Sequence, residues 1–195
     1  MVFTSYEDFK LACCKAGEHE ESYFCDKGAY RTVNPKCKVE LAKDYWKTLA
    51  AGKWTAFVRD RIVPFMECYK FFTLVVGDFP QLGPLAGYLL TADFSYCHPK
   101  VVDAPKLSEM AILSRSFNKG AVSALEILGF ITPRACSGTK AQKGDLKEIE
   151  TAFGKVYELL KKIIPAEHQG AADLDLIMTE HMLCKFSRAK GLNLI

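Results

Sequence analysis

The sequence predicts an all-α fold, a single-domain bundle of about seven to eight helices with orthogonal or irregular packing. Apolar residues recur at helical spacing in nearly every segment of the chain. Alternating strand patterns and the Asn-Gly or Asp-Gly turns of β-hairpins do not occur. A length of 195 residues suits one domain, in which we treat the loop 132–144 as a possible hinge.

Composition and charge are those of an ordinary globular protein. Apolar residues make up 49% and charged residues 25% of the chain. The formal net charge of +3 is too small to indicate a nucleic-acid or membrane partner, and no apolar run approaches the roughly 20 residues of a membrane span. The N-terminus lacks a secretory signal pattern. We therefore expect an intracellular, cytoplasmic protein whose eight cysteines are reduced.

Capping signals mark the first two predicted helices. Thr4 and Glu7 have the spacing of a capping box, and Gly17 ends the apolar stripe that follows them. The pair Asn34-Pro35 opens the second helix, because proline suits the first helical position. Gly52 ends this second helix.

The next two predicted helices are the most apolar in the chain. Residues 54–76 form one long helix that Pro64 should kink or split, since proline lacks the N–H of the helical ladder. Pro84 opens a helix over 85–96 that is apolar on all sides, which predicts a central, buried position. Asp93 lies in this helix. It is our candidate for a buried acid with a raised pKa, although we favour a role in capping the turn before His98-Pro99.

Two short helices around the turn Asn118-Lys119-Gly120 resemble a helix-turn-helix in their spacing. A recognition helix must offer polar or basic side chains to DNA. Residues 121–131 contain only Ser123 and Glu126 as polar residues, and Glu126 would repel phosphates. The composition therefore predicts an αα-hairpin buried in the core.

Two amphipathic helices complete the prediction. Asp145 should cap the first, with Glu148 placed for a capping box. Six apolar residues recur along it at spacings of three and four, which is typical of a bundle seam: Leu146, Ile149, Phe153, Val156, Leu160 and Ile163. The last helix begins near Asp173 and Asp175, which suit a positive helix N-terminus, and ends at Gly191.

The predicted function is that of a non-enzymatic, protein-binding subunit or adaptor of a larger assembly. The chain has more almost wholly apolar helix than a small bundle needs, so part of that surface could bind a protein partner or a second copy. Aromatic residues and methionine dominate interface cores. We therefore predict that the partner binds at five residues of the third helix: Trp54, Phe57, Phe65, Met66 and Tyr69.

The alternative is a helical nucleic-acid-binding protein of nucleocapsid-like or regulatory type. Arg134, Lys140 and Lys143 lie in a loop without acidic residues, where hydroxyls and backbone amides could add donors to phosphate. A solvated connector explains the same composition. A third class, an enzyme or small-ligand carrier, would require a pocket that holds Asp93 and a histidine.

Catalytic and metal motifs are few. His181 and Cys184 share a helix face, yet their surroundings indicate core packing rather than a thiolate dyad. We predict no cofactor. Cys14, His19, Cys25 and Cys37 are an alternative zinc set, although no tight Cys-x2-Cys pair occurs among them.

The spacing of Cys14, Cys25 and Cys37 resembles that of the coiled-coil-helix-coiled-coil-helix proteins of the mitochondrial intermembrane space. Those proteins use cysteines nine residues apart, whereas the gaps here are ten and eleven residues. The resemblance implies the mitochondrial intermembrane space as the alternative localisation.

Overall fold

The computed structural model describes residues 5–11, 42–74, 79, 83–137, 140–141, 143–171 and 174–191. Its elements are almost entirely helical, which confirms the predicted all-α class. The chain divides into two compact units, Met1–Asp103 and Ala104–Ile195, and each is described by itself. The loop 132–144 lies within the second unit. The single-domain organisation and the hinge stay predictions.

The first unit contains five helical segments among its described residues: α1 (6–11), α2 (Ala42–Ala50), α3 (Lys53–Val58), α4 (Phe65–Leu74) and α5 (Pro84–Ser95). The prediction that Pro64 interrupts a long helix is confirmed, because α3 ends at Val58 and α4 begins directly after the proline. Between them, Val63 forms a parallel bridge with Val102. Its N–H donates to Val101 O at 2.9 Å, and its carbonyl accepts from Asp103 N–H at 2.8 Å.

Packing of α4 against α5 forms the core of the first unit. The fully or almost fully buried apolar side chains there are Val63, Phe65, Cys68, Phe72, Tyr88, Ala92 and Val102. The prediction that α5 is buried on every side is wrong. Leu85 is 43% exposed, because the helix packs on one face only, the face that carries Gly87, Tyr88, Thr91 and Ala92.

The second unit contains five helices and one short ladder in its described residues: α6 (Leu107–Phe117), α7 (Ala121–Ile127), β1 (Cys136–Ser137), β2 (Lys140–Ala141), α8 (Leu146–Ile163), α9 (Ala166–Ala171) and α10 (Leu176–Gly191). β1 and β2 are antiparallel, with Cys136 opposite Ala141 and Ser137 opposite Lys140. The sequence did not predict this ladder. α7 packs mainly against α10, and α6 packs mainly against α8.

The prediction that the hairpin of α6 and α7 lies in the core is confirmed for its inner face only, because Ile127 and Leu128 at the end of α7 are 47% and 43% exposed. Val122 and Leu125 are 0% exposed. The turn between the helices needs left-handed backbone, with φ values of 52° at Asn118 and 46° at Gly120. At Gly120 a side chain has no room either, because a Cβ there would overlap Cys184 Sγ. The turn therefore lets α7 approach α10 closely.

The predicted seam of α8 is buried only along its middle. Asp145 caps the helix as predicted, because its Oδ1 accepts from Glu148 N–H at 2.8 Å. The Glu148 carboxylate accepts from both the N–H and the hydroxyl of Thr132 at 2.8 Å. Ile149, Phe153 and Val156 are buried, whereas Ile163 is 66% exposed. The C-terminal half of α8 therefore presents apolar surface to solvent.

The start of α10 is capped as predicted by Asp175, whose Oδ1 accepts from Met178 N–H at 2.8 Å. Asp173 lies outside the described residues. Within the described ranges, no helix is both long and apolar enough to cross a membrane.

Three alanine substitutions should separate backbone strain from steric overlap at glycine positions. Gly120→Ala should lower the free energy of unfolding by about 2–4 kcal/mol, since it combines positive φ with overlap at Cys184. Gly129→Ala has positive φ but open space, so about 1 kcal/mol is expected. Gly170→Ala has neither, and because Gly170 lies in α9 the substitution should leave stability unchanged or raise it by up to about 1 kcal/mol. Urea unfolding followed by circular dichroism measures all three. Equal losses at Gly120 and Gly170 would contradict this account of the turn.

Candidate functional site

The predicted partner-binding residues lie in and beside an aromatic cluster of the first unit. The Trp54 ring lies 4.5 Å from that of Phe94 and 5.4 Å from that of Phe72. Phe57 stacks on Phe71 at 4.3 Å. The sequence analysis missed Phe71, Phe72 and Phe94, which come from other parts of α4 and from α5. Trp54 and Phe57 are half-buried, so these rings mainly contact each other.

One of the five predicted contact residues is wrong. Phe65 is 1% exposed and packs with its ring 6.2 Å from that of Tyr88, so it belongs to the core of the unit. It shares the inner face of α4 with the buried residues Cys68 and Phe72. Met66 and Tyr69 are half-buried. Of the five predicted contact residues, one therefore belongs to the core and the other four are partly exposed.

Arg134, the first residue of the alternative phosphate-binding set, is held inside the second unit. Its side chain is only 5% exposed and pairs with Glu126 at 2.6 Å between Nη2 and Oε2. Its guanidinium also donates to Ser123 Oγ at 3.1 Å and to Asn118. Our assignment of Arg134 to an exposed phosphate site is therefore wrong, because the guanidinium ties the loop to the α6–α7 hairpin.

The other two basic residues of the set do not form a phosphate site by themselves. Lys143 is exposed. Lys140 lies in β2, and its side chain is outside the described part of the chain. The described residues therefore bring no two members of the predicted basic set together on a surface.

The prediction of a buried acid at Asp93 is also wrong. The side chain is exposed, because helical geometry places it roughly opposite the buried residues Tyr88 and Thr91. The third functional class, which needed this acid in a pocket, loses its main candidate.

Cys184 has the surroundings of a structural thiol. Its Sγ donates to Glu180 Oε1 at 2.9 Å, and Glu180 is buried. Burial, together with the Glu180 carboxylate, raises the pKa of the Cys184 thiol to about 12. The thiol is therefore protonated at neutral pH and is a poor nucleophile.

Metal binding finds no support in the part of the chain that the structure describes, where no cluster of three or more histidine, cysteine or acidic side chains occurs. The alternative zinc set of Cys14, His19, Cys25 and Cys37 lies outside that part.

A cleft in the second unit combines apolar and charged side chains. It has a volume of about 500 Å³ and is lined by Phe130, Gly154, Lys155, Glu158, Leu159 and Lys162. The four residues 155, 158, 159 and 162 have the spacing of one helix face. Leu159 is 43% exposed, and Ile163, one turn further along α8, is 66% exposed. We call this surface the α8 cleft.

Phe130 enters the α8 cleft because of the way in which α7 ends. Gly129 has a φ of 73°, and its N–H donates to Glu126 O at 3.0 Å. The Phe130 N–H donates to Leu125 O at 2.9 Å. These two bonds make a Schellman motif, which reverses the chain at Gly129. The motif therefore gives the cleft its one aromatic side chain.

The rim of the α8 cleft is basic. Lys155 and Lys162 are exposed, and neither makes an ion pair with another described residue. Glu158, the one acid that lines the cleft, pairs with Lys161 at 2.6 Å between Nζ and Oε1. The Lys161 ammonium also lies over the Tyr157 ring at 4.7 Å. Among the described residues, no acidic side chain therefore pairs with Lys155 or Lys162.

The buried pair of Arg134 and Glu126 should contribute to stability in a pH-dependent way. Hydrogen bonds from Arg134 lower the pKa of the Glu126 carboxyl below its ordinary value of 4.5. The pair should stabilise the fold fully above pH 4.5, and this contribution should disappear as the pH falls through the lower folded-state pKa. The difference in unfolding free energy between wild type and Glu126→Gln should therefore shrink from pH 7 to pH 3.

At pH 7, Arg134→Ala should cost about 3 kcal/mol, because it leaves the Glu126 carboxylate poorly solvated. The matched control is Arg61→Ala. It breaks the pair of Arg61 and Glu67, which has the same residue types but 43% exposure on both sides. It should cost much less than Arg134→Ala, even though Arg61 also donates to Phe57 O and lies over the Phe57 ring. Equal effects of the two substitutions would contradict the structural role of Arg134.

Site-resolved labelling should distinguish the thiols of the folded chain. At pH 8, iodoacetamide should label the exposed Cys97 quickly. Cys68 and Cys184 should stay unlabelled, because burial raises their pKa values to about 11 and about 12. Peptide mass spectrometry reads each site separately. Labelling of Cys184 at the rate of Cys97 would show that a reactive thiolate exists there.

Comparison of the chain with protein-family models, with curated proteins and with solved structures yields no match. The function proposed below therefore rests on the contacts, exposure and charge of the described residues.

Proposed function

We propose that this chain is a non-enzymatic protein-binding subunit that binds a partner protein through the α8 cleft. The observation that carries the proposal is the exposed apolar surface at the C-terminal half of α8, next to a formed cleft. Exposed aliphatic side chains that occur singly are common on protein surfaces. Here Leu159 and Ile163 lie one turn apart on one helix, and Leu159 lines the cleft together with Phe130. Such grouping is typical of interaction sites.

The energetics favour an occupant of the cleft. Full burial of a leucine or isoleucine side chain contributes about 1.5–3 kcal/mol. Covering the exposed parts of Leu159 and Ile163 would therefore contribute a few kcal/mol to binding. Ile127 and Leu128 lie at the C-terminal end of α7, shortly before Phe130, and are 47% and 43% exposed. Their exposed surface could enlarge the contact. Interfaces commonly have this form, an apolar centre within a polar rim.

Two observations favour protein binding over the alternatives. Arg134, the central residue of the nucleic-acid alternative, is committed to the ion pair with Glu126. Cys184, the thiol that shares a helix face with His181, is protonated at neutral pH. The proposal keeps the predicted class of function and moves its main site from the aromatic segment 54–69 to the α8 cleft.

Site-specific photo-crosslinking in cells tests the proposal. A benzoyl-phenylalanine at position 159 should form an adduct with one protein, which mass spectrometry identifies. The same probe at position 85 is the matched control, because Leu85 is also a leucine with 43% exposure. The control should not capture that protein.

The identified protein, once purified, should bind the wild-type chain and bind Ile163→Glu at least about tenfold more weakly, since the substitution places a charge in the apolar contact. Leu85→Glu should bind it as wild type does. If position 159 captures nothing, or captures the same proteins as position 85, the proposal is wrong.

A further inference from the structure

We infer that the partner presents an acidic amphipathic helix to the α8 cleft, an inference that rests on the proposed function. The cleft follows α8 from Gly154 to Lys162, which corresponds to about 12 Å at 1.5 Å per residue. Two turns of a partner helix have that length. A helix bound in such a groove inserts apolar residues spaced three and four apart.

The charge of the rim specifies which helix fits. Lys155 and Lys162 are seven residues apart, so they lie on the same side of α8, two turns from each other. Leu159 lies between them on this face. A partner with apolar anchors toward Leu159 and Phe130 and with acidic residues on its flanks would satisfy both lysines. A basic partner would be repelled by both.

The acid already present in the cleft does not change this balance. Glu158 has its own partner in Lys161, at 2.6 Å. That pair is local, three residues apart on the same helix, and can persist when the cleft is filled. The carboxylates that Lys155 and Lys162 attract must then come from the partner.

The same charges disfavour a second copy of the chain as the occupant. In a two-fold symmetric contact through α8, each copy would present its own Lys155 and Lys162 to those of the other. Like charges that approach each other in an interface oppose association. The protein should therefore not dimerise through this face.

Binding of designed peptides to the full-length protein tests the inference. Three labelled peptides of about 15 residues share one apolar stripe of leucines and differ only in their flanks, which are acidic, neutral or basic. Fluorescence anisotropy should show the acidic peptide binding at least about tenfold more tightly than the basic one at low salt, with the neutral peptide between them. The difference should shrink as salt is added.

Charge reversal assigns the effect to the two lysines. Lys155→Glu/Lys162→Glu should invert the order of the acidic and basic peptides. The matched control is Lys119→Glu/Lys185→Glu, which changes the net charge equally at two exposed lysines elsewhere in the second unit and should keep the wild-type order. Leu159→Glu should weaken the binding of the acidic peptide more than that of the neutral or the basic peptide.

Each contrary result overturns the inference. Equal binding of acidic and basic peptides, binding of none of them, or an unchanged order in the Lys155→Glu/Lys162→Glu variant would show that acidic flanks are not what the cleft recognises. Displacement of the acidic peptide by a short DNA oligonucleotide would instead identify phosphate as the ligand. The crosslinking at position 159 is independent of these results, so the proposed function can stand when the inference fails.

Discussion

The burial of α7 is the constraint on which the second unit is built. Ala121, Val122 and Leu125 can lie inside only if the chain turns sharply after α6 and passes close to Cys184 of α10. Gly120 permits this turn, because any side chain there would meet the sulfur. The Arg134–Glu126 pair then ties the following loop back to the hairpin. A glycine and a buried ion pair thus hold a seven-residue helix that is too short to be stable alone.

The way in which this core is filled determines what remains on the surface. α6 packs against α8, whose residues Ile149, Phe153 and Val156 are buried. The second half of α8 carries Leu159 and Ile163, both substantially exposed. The chain reversal at Gly129 adds Phe130 to the same region. The α8 cleft is therefore a consequence of the core packing, since the helix extends beyond the elements that cover it.

Local signals in the sequence were sufficient for the all-α class and for several element boundaries. The caps at Asp145 and Asp175, the interruption at Pro64 and the burial of the α6–α7 hairpin all depend on nearby residues or on one apolar helix face. The ion pair between Arg134 and Glu126, the burial of Phe65 and the exposure of Asp93 depend on which faces of the helices meet. The sequence pattern does not contain that information. The sequence contains one weak indication of the α8 cleft, which is Leu159, an apolar residue of the helix that lies outside the predicted seam.

Native-state hydrogen exchange tests the burial of α7 most directly. The amides of Ala124 and Leu125 should exchange as slowly as the most protected amides of the second unit, because they open only when this unit unfolds. The exposed last turn of α8, around Ile163, should exchange faster. If the α7 amides exchange as fast as those of that turn, the helix is not held in a core, and the account of the hairpin and of the cleft beside it is wrong.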